Sequence, residues 1–296
     1  MLMQPGPIAP ILTPFEDDHS ISTNRYVNHA KRLLTSGCVG LVPFGTTGEA
    51  LSLSTKERID SLEALVDAEI DPSVLIPGTG LSNIPDTVSL SRHAVELGCY
   101  AVLILPPTFC THPSEDGLYS HYANIISTVN DDRLRIFLYH IPQFASVGVP
   151  IEVVIRLSSA FPNVVTGIKD SSGDWSNTKK LFEIDNLVVY PGSERFLIQS
   201  LSLGSPGCIT ASANVNSSII AQVVSLYTAG DHEGAHNLIS LAIDYRNKIE
   251  TFSMIPALKS ILALQYDDPS WSNVRTPLAP LNESSTETLL QLFELY

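Results

Sequence analysis

This chain has little positive charge. Among 296 residues there are 17 Lys or Arg against 31 Asp or Glu, a formal net charge of −14, and charged residues of both signs make up only 16%. A nucleic-acid partner requires a basic stripe to neutralise phosphates, and an anionic membrane surface attracts clustered cations. Neither pattern is present, so neither partner is expected. Cysteine is also scarce. Cys38, Cys99, Cys110 and Cys208 include no C-x-x-C and no Cys/His pair at zinc-ligand spacing. They read as four buried or half-buried free thiols in a reducing compartment. His19, His29, His93 and His112 read as ordinary surface or loop residues, and no pair of them has metal spacing. Neither a metal nor a cofactor is predicted. No apolar run reaches the roughly 20 residues of a membrane span. The opening Met1-Leu2-Met3-Gln4-Pro5-Gly6-Pro7 lacks the charged and apolar stretches of a signal peptide. A cytoplasmic protein is expected. The first apolar run is not followed by a G-x-G-x-x-G turn, which argues against a doubly wound open sheet.

What is present is a rhythm. Hydrophobic residues make up 44%, and short β-rich apolar runs recur at 8–13, 39–44, 74–77, 101–105, 135–139, 164–169, 187–190 and 207–210. They are nearly continuous in apolar character rather than alternating, as strands buried on both faces are. Helical periodicity fills the intervals at 23–36, 55–69, 84–97, 114–128, 151–160 and 175–184, with Gly37 and Gly98 as C-terminal stops. Eight βα units give a (β/α)8 TIM barrel of about 220 residues. Beyond it, helical patterns at 218–229, 232–251, 254–266 and 284–295 read as the last barrel helix and a small C-terminal helical extension. The expected division is a barrel over 1–225 and a helical region over 226–296.

In such a barrel the strand C-termini build the active site. Lys169 follows the apolar residues 164–168 and is expected at the barrel rim. Desolvation there disfavours the ammonium, and a neutral amine is a nucleophile for a carbonyl. Tyr139 ends the preceding strand, within reach of Lys169, and a phenol can move protons. Gly45-Thr46-Thr47-Gly48-Glu49 follows the second run. Its glycines allow a tight turn, and its hydroxyls and N–H groups form a nest for a carboxylate. Glu49 is expected to hydrogen-bond the loop rather than to catalyse. Asp170-Ser171-Ser172-Gly173-Asp174 reads as a turn with an N-cap, and His140 as a rim histidine in reach of substrate.

Three motifs taken in order, Gly45-Thr46-Thr47-Gly48-Glu49, Tyr139-x-x-Pro142 and Gly167-Ile168-Lys169-Asp170-Ser171-Ser172-Gly173-Asp174, resemble the dihydrodipicolinate synthase / N-acetylneuraminate lyase family of class I aldolases. Thr13-Pro14-Phe15 and the stretch from Gly207 to Asn214 are similar to it too, and the likeness is collinear over about residues 7–230. The resemblance implies a (β/α)8 barrel that assembles as a homotetramer, a dimer of dimers. It implies Lys169 as the Schiff-base lysine for pyruvate and Tyr139 as general acid/base. Gly45, Thr46 and Thr47 would hold the pyruvate carboxylate, and Ile209 would pack beside the bound keto acid. Two departures stand out. Phe144 falls where dihydrodipicolinate synthases carry an arginine for the aldehyde's carboxylate, and Pro106-Pro107-Thr108-Phe109-Cys110 lacks the family's tyrosine pair.

The sequence therefore predicts a lyase that cleaves or forms a 2-keto-3-deoxy-acid-type substrate from pyruvate and an aldehyde. The alternative is 4-hydroxy-tetrahydrodipicolinate synthase, joining pyruvate to aspartate semialdehyde. A dehydratase of the same family, a non-catalytic keto-acid-binding protein and a metal-dependent barrel aldolase complete the set of readings.

Overall fold

Proline shortens the first three strands of this barrel. The computed structural model describes residues 3–293, with six strands: β1 (Ile8–Ala9), β2 (Gly40–Leu41), β3 (Val102–Ile104), β4 (Ile136–His140), β5 (Val165–Asp170) and β6 (Val188–Pro191). All pairs are parallel, β1 with β2 and β3-β4-β5-β6 in order. The other two of the eight expected strands are extended segments held by single bridges, Leu75 to Leu41, Gly78 to Leu103 and Ile209 to Ile8. Pro10, Pro43 and Pro77 have no N–H to give a ladder, which shortens pairing at the first three positions. Hydrogen bonds still run right round. Val42 N donates to Ala9 O, Ile76 N to Leu41 O, Leu103 N to Pro77 O and Val102 N to Arg135 O. Ile136 N donates to Val164 O, Gly192 N to Asp170 O, Ile209 N to Pro191 O and Ile8 N to Cys208 O. β4 and β5 pair directly between these links. The ring of eight is closed, and the fold is the expected (β/α)8 barrel.

Strand periodicity sorts the side chains into two layers. Phe137 and Tyr139 join Ile8, Val42, Ile76, Leu103, Tyr190 and Ile209 inside the barrel. Ile136 and Leu138, one residue out of step, pack with the surrounding helices instead. Those helices end where their local sequence says they should. Helix Thr23–Thr35 stops before Gly37 at φ +98, and helix Ile84–Glu96 before Gly98 at φ +84. A capping box between Ser54 and Glu57 starts helix Thr55–Asp67. Helices Glu115–Val129, Ile151–Ala160, Trp175–Leu181 and Leu197–Ser202 complete the strand connections. Four further helices follow, Ala213–Thr228, His232–Glu250, Met254–Gln265 and Glu283–Leu292. Residues 294–295, expected in the last of them, lie outside the described residues. These helices enclose a third apolar cluster, where Leu258, Ile261, Leu262, Trp271 and Leu289 meet Leu12 from the barrel.

Two sequence expectations need correction. Cys110 is exposed, although all four cysteines are free as expected. His29 is fully buried, not a surface residue. It lies on the inward face of helix Thr23–Thr35 with Tyr26, Ala30 and Leu33, and the apolar stripe of that helix carries it into the core. Its Nε2 lies 2.9 Å from Asn214 Oδ1, its Nδ1 2.9 Å from Tyr266 Oη, and its ring packs edge-on to Trp271. The Asn214 oxygen can only accept, so Nε2 donates and Nδ1 accepts from the phenol. Burial lowers the His29 pKa from 6.5 to about 4. Above pH 6.5 the ring is neutral in both folded and unfolded chains. Between pH 6.5 and 4 only the unfolded chain takes up the proton, so stability falls with pH. His29 should account for a loss of about 3 kcal/mol by pH 4. Urea unfolding of wild type and His29→Gln over this range checks it: the wild-type curve should be the steeper, and parallel curves would refute the assignment.

Candidate active site

The register of β4 on β5 creates the site. Tyr139 is paired with Lys169, and paired residues of parallel strands project to the same face. That face is the barrel interior. Lys169 Nζ donates to Tyr139 Oη at 3.2 Å and stands 4.4 Å from the centre of the same ring. Both residues are only 4% exposed, so the amine is poorly hydrated. Thr46 Oγ1 lies 3.3 Å from Tyr139 Oη, which makes a chain from amine to phenol to threonine. Among the described residues, Lys169 has no carboxylate within ion-pair distance. Its neighbour Asp170 accepts from Ser172 N, Asn177 Nδ2 and Thr178 Oγ1, holding the turn that follows. Asp174 caps helix Trp175–Leu181 by accepting from Ser176 N.

The loop that brings Thr46 here is braced on several sides. Phe44 and Glu49, on either side of Gly45-Thr46-Thr47-Gly48, both have left-handed backbones at φ 58 and φ 56, a conformation kept only when surroundings impose it. Thr13 Oγ1 donates to Gly48 O at 2.7 Å, and a Cβ at Gly48 would come within 2.7 Å of Ile11 O, so glycine is required. Glu49 is buried and acts structurally, accepting from Arg275 N at 3.0 Å and from the ammonium of Lys259. Lys259 also donates to Asn273 O at 2.7 Å. It is wholly buried on helix Met254–Gln265, and burial holds its pKa down to about 8 against the pull of Glu49.

A cavity of 660 Å³ opens above the Lys169–Tyr139 pair, and Thr46 and Thr47 line it with them. The other three residues singled out from sequence sit elsewhere. Gly45 is buried in its loop, and Ile209 belongs to the barrel interior with Tyr139. His140, one residue out of step with Tyr139, accepts from Val149 N at Nδ1 and packs against Gly148. None of these three lines the cavity. Sequence reasoning missed the far wall, which includes Arg195, Phe196, Arg246, Glu250, Phe252 and Met254. Arg246 and Glu250 are an i,i+4 pair on a helix and look like any solvated ion pair. The signal in the sequence is Glu194, which follows the apolar run at 187–190 and pairs with Arg246 in the structure. Among the described residues no group of three or more His, Cys, Asp or Glu is placed to hold a metal ion.

Comparison with known proteins shows the family of the chain. The chain matches the Dihydrodipicolinate synthetase family over residues 4–295. It is 33% identical over 292 residues to an uncharacterized DapA-like lyase of Chloroflexus aurantiacus, covering 98% of this chain and 96% of that one. It is 30% identical to the 4-hydroxy-tetrahydrodipicolinate synthase of Methanosarcina barkeri, with 95% and 94% covered. Among solved structures, dihydrodipicolinate synthase from Agrobacterium tumefaciens superposes with a TM-score of 0.87 at 31% identity, over 98% of this chain and 99% of that one. The chain therefore belongs to the dihydrodipicolinate synthetase family, a family of class I lyases, as its motifs implied.

Proposed function

We propose that Lys169 forms a Schiff base with pyruvate or a related 2-oxo acid, and that the enzyme makes or breaks a carbon–carbon bond through that iminium. The observation that supports this best is the chain from Lys169 Nζ through Tyr139 Oη to Thr46 Oγ1, at 3.2 and 3.3 Å, lining a cavity. The amine attacks C2 of the keto acid, and water leaves. Thr46 and Thr47, which line the cavity, hold the carboxylate. Tyr139, in contact with the amine, moves the protons of carbinolamine formation. The iminium then draws electrons from C3, so C3 loses a proton or the adjacent bond breaks. Reduction with borohydride in the presence of pyruvate tests the reading. A secondary amine at Lys169, located by peptide mass, is the expected product, and an unmodified Lys169 peptide would refute it.

Tyr139→Phe keeps the ring against the lysine and removes only the proton carrier. It should lower kcat by about 10²–10⁴-fold while pyruvate can still be trapped. Steady-state kinetics beside the trapping assay check this, and a kcat within a few-fold of wild type would remove Tyr139 from the mechanism.

The relative from Methanosarcina barkeri favours a second reading, condensation of pyruvate with aspartate semialdehyde as 4-hydroxy-tetrahydrodipicolinate synthase. Phe144 on the cavity wall weighs against it, because that position offers no charge to the aldehyde's carboxylate. The family resemblance supports assembly as a dimer of dimers. No described helix is long and apolar enough to cross a membrane, which fits the cytoplasmic placement we infer.

A further inference from the structure

The lining of the cavity other than Lys169, Tyr139, Thr46 and Thr47 has a composition of its own. Phe144, Phe196, Phe252, Met254 and Ile255 face it from three separate parts of the chain. Phe144 is 66% exposed, a large apolar ring left open to the cavity and to solvent. Two guanidiniums also reach this wall, and both are already engaged. Arg246 donates to Glu194 at 3.1 Å, to Thr210 Oγ1 at 2.9 Å and to Glu250 at 2.8 Å. Arg195 donates to Glu250 and to Asn247 Oδ1. Glu194 is fully buried, so drawing Arg246 away would leave a carboxylate without a counter-ion in the interior. Two arginines face two glutamates, and this lining has no net positive charge. Even the polar Gln143 is occupied, donating to Ser171 O.

From this wall we infer that the second substrate is an aldehyde with an uncharged, apolar substituent, seated on Phe144, Phe196, Phe252 and Met254. The inference rests on the Schiff-base reading above and adds the acceptor's chemical class. In condensation, C3 of the enamine bonds to the aldehyde carbon, and the carbonyl electron pair goes to oxygen, which takes a proton from Tyr139. Tyr139 regained that proton from C3 when the enamine formed. Water then hydrolyses the iminium, freeing Lys169 and a 4-hydroxy-2-oxo acid whose apolar group lies on the aromatic wall. A carboxylate-bearing aldehyde would lose its hydration here and find no unpaired cation.

The test compares kcat/KM for benzaldehyde and for aspartate semialdehyde, each with pyruvate, on the full chain. Benzaldehyde should be favoured, by roughly tenfold or more. Phe144→Arg, which adds a free cation to that wall, should shift the ratio towards the charged aldehyde by a similar factor. A wild-type ratio of one or below overturns the assignment, and so does a ratio that Phe144→Arg leaves unmoved. If that variant does not fold, the wild-type ratio decides alone. Borohydride trapping with pyruvate alone separates the two claims. An adduct with the wrong aldehyde preference defeats only the acceptor class, whereas no adduct defeats the Schiff base and the acceptor class together.

Discussion

Lys169→Ala should abolish turnover, with kcat/KM falling by about 10⁴-fold or more, because the residue supplies the covalent electron sink and no neighbour can replace it. The described residues lining the cavity include no second lysine. The cations on the far wall are guanidiniums, which remain protonated and do not form imines. Exchange of the pyruvate methyl protons into heavy water, followed by NMR, reads the same step without any aldehyde. Wild type should exchange them through the enamine, and Lys169→Ala should not. Exchange that persists in the variant would mean that another group activates the keto acid, and the mechanism would have to be rebuilt around it. Because the side chain is buried, the substitution leaves a cavity, and folding is checked by circular dichroism. Lys169→Met fills more of the space and should be equally inactive.

The second large effect concerns stability. Lys259→Met should destabilise the fold by about 3–5 kcal/mol, the range found when one partner of a buried ion pair is removed. The carboxylate of Glu49 would then be buried with only the backbone N–H of Arg275 to answer its charge, since the Arg275 guanidinium is turned to Glu57, Ser52 O and His19 O. Replacing both partners, Glu49→Leu with Lys259→Met, should recover much of that loss, because an apolar pair of similar volume leaves no orphaned charge. Urea denaturation of the two single variants and the double variant measures the coupling. Additive losses would mean that the pair does not act as a unit. The pair also links helix Met254–Gln265 to the loop bearing Thr46 and Thr47. The single variant should therefore raise KM for pyruvate more than it lowers kcat, while the trapped adduct still forms on Lys169.

The barrel was readable because a buried parallel sheet writes itself as apolar runs at a regular interval, and because the stops at Gly37 and Gly98 depend only on local backbone conformation. The two segments at 74–77 and 207–210 look like strands in sequence but pair through single bridges. Periodicity reports burial, whereas ladder length depends on neighbours that the sequence does not specify. His29 was misplaced for a related reason. Its inward position is a matter of helix phase, but what makes burial tolerable is a pair of partners at Asn214 and Tyr266, both far along the chain.

At the site, Lys169, Tyr139 and the Thr46-Thr47 loop could be picked out because each stands at the end of an apolar run, where a barrel gathers its chemistry. Sequence determined the barrel, its family and the three groups that meet beneath the cavity. Only the tertiary structure decided the wall opposite them, formed by Phe144, Phe196, Arg246, Phe252 and their neighbours. The physical reason is separation along the chain. A charge such as Arg246 has no character of its own until folding shows whether Glu194 and Glu250 already answer it.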